Sequence, residues 1–381
     1  MQMQPAARLE PRSAVVQGWR GPVHHGLRRS AARGGAGAAQ ALSFLGTSSL
    51  VAAFVRRSVP KRGACGRRAL RRRLLGGVAF LTSAEGAAAA GPLQGRSAVV
   101  TGAGRGIGKG IALGLGELGA TVFVTGRSRS ALEATCDLVR RAGGIGVPVV
   151  CDHSIDSQVA KAFEEIGNAT GGKIDVLVNN AFQEPSASNP EVDKKLSDAA
   201  KFYELPISVW DNMQQVGLRS HYVASYYAAP MLLAAAKASP SRRPLLCATS
   251  SFGAVVPLFT PAYGALKEAS DRLIRELQVE LSPQGVDCVS FWPGIVLTEK
   301  VQQLIREDPQ RLEKIAGGQD LQRASESPLL TGRVIAKLAA EERYRKPPYV
   351  TPPGLTGQVC IVAETAHDIG LRDGGPPGSA A

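Results

Sequence analysis

Short apolar runs alternate with longer amphipathic stretches along most of the chain, from about residue 95 onward. Apolar runs of five to seven residues indicate buried strands, and apolar residues that recur every three or four positions indicate helices with one buried face. Strands that alternate with helices are typical of βαβ units and a parallel sheet. The predicted strands are 97–101, 121–125, 146–152, 174–180, 244–250, 286–292 and 357–362, and the first two helices are predicted at 107–118 and 130–142.

This alternation predicts a single α/β domain over residues 95–375, with a Rossmann-type, doubly wound parallel sheet of seven strands and helices on both faces. Two stretches break the rhythm, 184–203 after the fourth predicted strand and 299–327 after the sixth. Because doubly wound folds bind ligands at the carboxyl ends of strands, we predict that both contribute substrate loops. Their many charged and amide side chains are equally typical of solvent-exposed surface loops without a role in substrate binding.

The net charge of +13 comes from the N-terminal region. Residues 1–75 contain fourteen Arg and one Lys against the single acid Glu10, so they carry +14 and the rest of the chain sums to −1. A segment rich in Arg, Ala, Gly and Ser and poor in acids is typical of an organellar transit peptide. We predict that residues 1–90 form a disordered presequence for a mitochondrion or plastid. The alternatives are a translated segment without function, and a location at the endoplasmic reticulum or in the cytoplasm.

The composition argues against several other classes of protein. The apolar run at 41–55 is shorter than the ~18 residues that a membrane-spanning helix needs, so no transmembrane segment is predicted. The basic region lacks interleaved aromatic residues and any base-reading module, so nucleic acid is not expected as a partner. The six cysteines form no CxxC pair and have no histidine at zinc spacing, which argues against a metal site or a disulfide framework.

A glycine-rich segment, TGAGRGIG at 101–108, joins the first predicted strand to the first helix. Glycines allow a tight turn and a close approach of backbone N–H groups to a phosphate, and the helix N-terminus adds the positive end of its dipole. Because the glycines lie between a strand and a helix, they predict the pyrophosphate site of a dinucleotide. The residues assigned to this site are Gly102, Arg105, Gly106, Ile107 and Gly108.

Tyr263 and Lys267 lie four residues apart at the start of an amphipathic helix, so both side chains share one helix face. A phenol with an unperturbed pKa of ~10 is a poor proton donor or acceptor at neutral pH, and a nearby ammonium lowers that pKa. We therefore predict that Tyr263 acts as general acid in reduction and as base in oxidation. Ser250, at the end of the fifth strand, would hydrogen-bond the substrate oxygen, with Ser251 as a less favoured alternative.

These motifs together resemble those of the short-chain dehydrogenase/reductase family, over most of residues 95–373. The matches are the TGxxxGxG spacing at 101–108, the start of NNAG at Asn179–Ala181 with Phe182 in place of the glycine, SxxG at 250–253, YxxxK at 263–267, and PGIVLT at 293–298 after the sixth strand.

The resemblance implies an NADPH-dependent reductase or alcohol dehydrogenase for small ketones and aldehydes, steroid-like, xenobiotic and lipid carbonyls among them. It implies that Lys267 holds the nicotinamide ribose and that Asp152 meets the adenine amino group. A homo-oligomer would be compatible with it. The further cofactor contacts that it implies are Asn179, Tyr263, Pro293, Gly294, Ile295 and Thr298. The side chain of Asn179 would serve equally well as a cap for the strand end.

The residues after the second strand decide between NAD and NADP. An acid there would bond the ribose 2′-hydroxyl and repel a 2′-phosphate, but this chain has Thr125, Gly126 and Arg127. Arg127 and Arg105 could instead hold a 2′-phosphate through charge-assisted hydrogen bonds. We therefore predict a preference for NADP(H) over NAD(H), the alternative being two ordinary surface arginines.

One position departs from the family pattern. Many members carry an Asn in the helix before the serine strand, where this chain has Gly217. A glycine can allow a local kink, whose exposed carbonyl could anchor a relay water beside Lys267. His221, one turn on, is a second candidate relay, or else a histidine on the helix surface. The missing Asn motivates an alternative function, a catalytically weak dinucleotide-binding sensor or scaffold.

Overall fold

The computed structural model describes residues 91–184, 191–192, 200–307, 325–347, 349–350 and 358–373. The predicted presequence at 1–90 and much of the two predicted substrate loops lie outside these residues. All described residues belong to one compact unit.

The strands form one large parallel sheet and one short pair. Their bounds are β1 (Ser97–Val100), β2 (Thr121–Gly126), β3 (Ile145–Val150), β4 (Val176–Asn179), β5 (Leu245–Thr249), β6 (Asp287–Trp292), β7 (Ile295–Val296), β8 (Ser325–Glu326) and β9 (Val359–Ile361). The large sheet has seven strands in the order β3-β2-β1-β4-β5-β6-β9, and β7 pairs with β8. Every pairing is parallel. The predicted seven-stranded, doubly wound sheet is therefore confirmed.

The helices follow the strands as the alternation predicts. Their bounds are α1 (Gly106–Glu117), α2 (Arg129–Arg141), α3 (Asp156–Thr170), α4 (Ser208–Gln214), α5 (Ser220–Ala238), α6 (Pro261–Leu281), α7 (Glu299–Glu307), α8 (Pro328–Ala340) and α9 (Val362–Asp368). The two helices predicted at 107–118 and 130–142 are each displaced by one residue.

The sheet separates two hydrophobic cores, because alternate residues of a strand face opposite sides. Ala98 and Val100 join the core that α1, α2, α8 and α9 cover. Val99, between them, joins the core beneath α3, α5 and α6. Helices thus cover both faces of the sheet, as predicted.

Helices α1 and α8 pack backbone against backbone. A Cβ added at Gly110 would lie 2.0 Å from the carbonyl oxygen of Pro328, and one at Gly332 would lie 2.0 Å from that of Gly110. A Cβ at Gly114 would lie 2.3 Å from the carbonyl carbon of Gly332. Gly110 and Gly114, four positions apart on α1, therefore let α8 lie directly against the helix that follows the glycine-rich segment.

Three further features concern the cysteines, possible metal ligands and the length and polarity of the helices. Cys136, Cys151, Cys247, Cys288 and Cys360 are buried free thiols. Within the described ranges, no cluster of three or more His, Cys, Asp or Glu side chains is placed to hold a metal ion. In the same part of the chain, every helix is too short or too polar to cross a membrane.

Candidate active site

The predicted site residues converge at one edge of the sheet. The glycine loop follows β1, Asn179 ends β4, Ser250 follows β5 and Pro293 follows β6. Parallel strands have their carboxyl ends at the same edge, and β1 lies between β2 and β4, where the strand order reverses. This is the place where doubly wound folds bind dinucleotides.

The backbone of the loop requires its glycines. Gly102 and Gly106 have φ values of +65° and +57°, which residues with a side chain rarely adopt. A Cβ at Gly102 would lie 2.8 Å from Cα of Ala181, and one at Gly108 would lie 2.5 Å from Nδ2 of Asn180. The loop therefore has no room for a side chain at Gly102 and Gly108, and it leads into the first turn of α1, where backbone N–H groups favour anions. Ile107 lies in that turn.

Glu299, which the sequence analysis missed, binds the start of α1. The Gly106 N–H donates to Oε2 of Glu299 at 2.9 Å, and Lys109 forms an ion pair with the other oxygen. Thr298 also meets the loop, because a Cβ on Gly106 would lie 3.4 Å from its Cγ2. The last residue of PGIVLT and the residue after it are thereby joined to the glycine loop.

The two asparagines at the end of β4 have different roles. The Asn180 side chain donates to the carbonyl oxygens of Thr101 and Gly102, at 2.9 and 3.2 Å, and so caps the strand ends. Asn179 is fully buried and donates to Oγ of Ser225 at 2.9 Å, so this side chain is held inside the core rather than over the strand ends.

Asp152 and two arginines mark the predicted adenosine end. Burial raises the pKa of Asp152, but hydrogen bonds from Ser154 and the charge of Arg127 outweigh it, so the pKa lies below its usual value. Arg105 and Arg127 are exposed, and neither guanidinium has a hydrogen bond or an ion pair with another described residue. His153, missed from sequence, bonds Oγ1 of Thr125 through Nε2 at 2.7 Å, and burial lowers its pKa to about 4.

Tyr263 enters the site from the first turn of α6. Thr260 caps this helix by accepting from the Tyr263 N–H at 3.2 Å. The Tyr263 hydroxyl lies 2.9 Å from Oγ of Ser251, which also accepts from the Gly253 N–H at 3.1 Å. A Cβ at Gly253 would lie 2.6 Å from Cε1 of Tyr263, so the glycine of the SxxG pattern makes room for the ring.

The geometry departs from the prediction for Ser250. Its hydroxyl donates to the backbone oxygen of Lys267 at 3.2 Å, and Ser250 is one of the groups that oppose the rise in the pKa of Asp271. Ser251, the less favoured alternative, is the serine that meets Tyr263. Successive side chains at a strand end point in opposite directions, so only one of two adjacent serines can face the tyrosine. The spacing of the SxxG and YxxxK motifs points to Ser250, whereas in the structure its neighbour Ser251 faces Tyr263.

Lys267 lies below the tyrosine ring, with Nζ 5.6 Å from its centroid. The ammonium donates to the Thr249 carbonyl oxygen at 3.1 Å, and burial lowers the pKa of Lys267 to about 8 despite the charge of Asp271. The pKa of Tyr263 is not lowered as predicted, because burial raises it more than the hydrogen bond with Ser251 lowers it. Tyr263 therefore carries its proton at neutral pH, which is the form that an acid in reduction requires.

Asp271 is a third residue that the sequence analysis missed. It lies one turn after Lys267, is fully buried, and accepts from the Trp292 indole N–H at 2.9 Å. Burial raises its pKa to about 6, against the opposing effect of its hydrogen bonds and of Lys267. Asp271 thus connects the helix of Tyr263 to the strand that leads into PGIVLT.

The helix before β5 is kinked at Gly217, as the sequence suggests. A π-helical turn spans Gln215–Arg219, and within it Val216 has φ −108° and ψ 18°. His221 is not on the surface: it is 3% exposed, and Nε2 lies 3.1 Å from the Ala181 carbonyl oxygen. Burial and the nearby Lys267 lower its pKa to about 3, so His221 is neutral.

The PGIVLT segment is held by a buried acid. Pro293 is buried, Gly294 is exposed, and Ile295 and Val296 pair with Ser325 and Glu326. A Cβ at Gly294 would lie 2.9 Å from Oε1 of Glu326, which accepts a hydrogen bond from the Gly294 backbone. Burial raises the pKa of Glu326 to about 7.

The sequence model of the family described as short chain dehydrogenase matches residues 96–309, and the chain belongs to this family. The protein is thus an NAD(P)-dependent oxidoreductase acting on CH–OH or C=O groups. It is 38% identical to dehydrogenase/reductase SDR family member 1 of Mus musculus, over 74% of this chain and 84% of that protein. The protein of the same name from Homo sapiens is 36% identical, over 74% of this chain and 85% of its own length.

Solved structures agree on the fold. A short-chain type dehydrogenase/reductase from Mycobacterium marinum has a TM-score of 0.56 and 24% sequence identity, covering 71% of this chain and 94% of that one.

Proposed function

We propose that this protein is an NADPH-dependent carbonyl reductase with ketones or aldehydes as substrates. In the opposite direction, the same reaction is that of an alcohol dehydrogenase. Steroid-like, xenobiotic and lipid carbonyls fall within this class. The observation that carries the proposal is the hydrogen bond between Ser251 and Tyr263, 2.9 Å long, beside the buried ammonium of Lys267.

The residues present fit a dinucleotide. The glycine loop has no room for a side chain at Gly102 and Gly108, and the first turn of α1 offers N–H groups beyond that of Gly106, which donates to Glu299. Arg105 and Arg127 are exposed cations at the predicted adenosine end. When bound, the nicotinamide supplies hydride. Lys267 would hold the ribose hydroxyls, and the PGIVLT backbone with Thr298 would orient the carboxamide.

The protein's own side chains then handle the proton. Tyr263 donates its proton to the carbonyl oxygen of the substrate, and the Lys267 ammonium stabilises the phenolate that remains. Ser251 accepts from the Gly253 N–H, so its single O–H would donate either to the Tyr263 oxygen or to the substrate oxygen as negative charge develops there.

The test is NADPH oxidation by the full chain across a panel of ketones, aldehydes and quinones. The proposal expects turnover with at least one carbonyl class. NADPH binding without turnover on the whole panel would favour the alternative, a dinucleotide-binding sensor or scaffold.

Replacing Arg127 tests the preference for NADPH. Arg127→Asp should weaken NADPH binding by ~1.5–3 kcal/mol for each lost charge-assisted bond and narrow or reverse the preference over NADH. Dissociation constants for both nucleotides measure this. Arg272→Asp is the control, since Arg272 is an exposed arginine on α6 paired with Glu276. Equal losses for NADPH and NADH in the Arg127 variant would contradict the assignment.

The two adjacent serines can be separated by substitution. Ser251→Ala should lower kcat ~10²–10³-fold, the usual loss when one donor to a developing oxyanion is removed. Ser250→Ala should act mainly on stability, costing ~0.5–1.5 kcal/mol for a lost buried hydrogen bond. Steady-state kinetics and denaturant unfolding of both variants measure this. A larger loss of kcat in the Ser250 variant would instead support the prediction from sequence, in which Ser250 bonds the substrate oxygen.

A further inference from the structure

Phe259 has an unusual backbone conformation. Across the described ranges it is the one residue other than glycine with a positive φ, +58°. In this left-handed region the side chain crowds the following carbonyl oxygen, and residues as bulky as phenylalanine are rarely found there. The structure must therefore hold Phe259 in place against a local preference for another conformation.

Folding of the segment does not explain a phenylalanine here. Its side chain is 63% exposed, so burial does not offset the strain. Phe259 precedes Thr260, the N-cap of α6, but the position four residues into the helix is Gly264, which offers no side chain for a hydrophobic staple. A glycine or asparagine would make the same turn with less strain.

The ring of Phe259 lies against the tyrosine of the site. The centroids of Phe259 and Tyr263 are 5.1 Å apart with an interplanar angle of 85°, an edge-to-face arrangement. Phe182 reaches the same tyrosine from the end of β4, with centroids 6.1 Å apart at 81°. Its ring also lies 5.0 Å from Nζ of Lys267.

The two phenyl rings thus flank Tyr263 from different parts of the chain, and the hydrogen-bonding groups beside them are the hydroxyls of Tyr263 and Ser251. Two aromatic walls next to one polar pair would hold a carbonyl oxygen on a flat apolar body better than one on a charged or puckered body. We propose that Phe259 and Phe182 form an aromatic slot that selects flat aryl ketones, and that the strained backbone of Phe259 is kept for this contact. This inference rests on the proposed function.

The test compares two ketones of similar size, flat acetophenone and puckered cyclohexyl methyl ketone. The full chain should prefer acetophenone in kcat/KM. Phe259→Asn removes the ring and suits the left-handed conformation, so it should reduce this preference ~3–10-fold, the range expected for one edge-to-face contact. Its Tm should be unchanged or raised, because strain is relieved. Val279→Asn, at an exposed apolar position further along α6, is the control and should leave the preference unchanged.

A smaller preference with an unchanged or raised Tm supports the slot. An unchanged preference, or a lowered Tm, overturns it. Calorimetry can measure the binding of both ketones to the parent protein and to the Phe259→Asn variant, and this measurement needs no turnover. Selective binding of acetophenone without reduction of any carbonyl in the panel would refute the proposed reductase function while supporting the slot. Unselective binding together with reduction would do the opposite.

Discussion

Tyr263→Phe is expected to lower kcat ~10²–10⁴-fold, the usual contribution of general acid catalysis, while NADPH binding stays nearly unchanged. The variant keeps the ring that packs against Gly253 and loses only the hydroxyl that bonds Ser251. Measuring kcat and the NADPH dissociation constant tests both parts. Tyr226→Phe, at an exposed tyrosine on α5, is the matched control. Reduction by the Tyr263 variant near the parent rate would show that another group supplies the proton.

Lys267→Met should impair turnover and NADPH binding together, because in the proposed function the ammonium both stabilises the phenolate and holds the ribose. Burial lowers the pKa of Lys267 to about 8, so in the parent protein kcat should fall as the pH rises through about 8 and the ammonium loses its charge. The two variants together separate proton transfer from cofactor binding. The sensor alternative predicts no turnover for either variant to lose.

Gly110→Ala should lower the free energy of unfolding by an amount near the upper end of the ~1–3 kcal/mol typical of overpacking. The added Cβ would lie 2.0 Å from the Pro328 carbonyl oxygen, and backbone atoms cannot yield without separating α1 from α8. Denaturant unfolding measures the loss.

Gly167→Ala is the matched control for this substitution. Gly167 lies in α3, and the nearest atom to an added Cβ is Cε of Met231 at 3.8 Å. This variant should be neutral or up to ~1 kcal/mol more stable, since alanine favours the helix. Equal losses in the two variants would mean that the contact between α1 and α8 is not the cause.

The sequence predicted the sheet well because each strand is a local apolar run, such as 286–292, and its bounds need no distant contact. The glycine loop was also predictable, since the turn itself demands Gly102 and Gly106. By contrast, the contact of Glu299 with Gly106 joins residues 193 positions apart. No local pattern of apolar and polar residues indicates such a contact.

The remaining differences at the site have two physical causes. Ser250 and Ser251 are chemically identical, and only the direction of the chain at the end of β5 decides which hydroxyl meets Tyr263. The direction of the Tyr263 pKa shift depends on burial, which the neighbouring residues in sequence do not reveal. Asp271 was visible at one turn from Lys267, but its burial and its bond to Trp292 require the folded chain.

The kink at Gly217 also bears on how this site can evolve. A Cβ at Gly217 would lie 2.7 Å from Cδ2 of Leu266, a fully buried side chain next to Lys267 in sequence. An asparagine, the residue that many family members carry here, would therefore press against the end of the Leu266 side chain, which must move to make room. The two positions are therefore epistatic: the cost of a side chain at 217 depends on the size of the residue at 266.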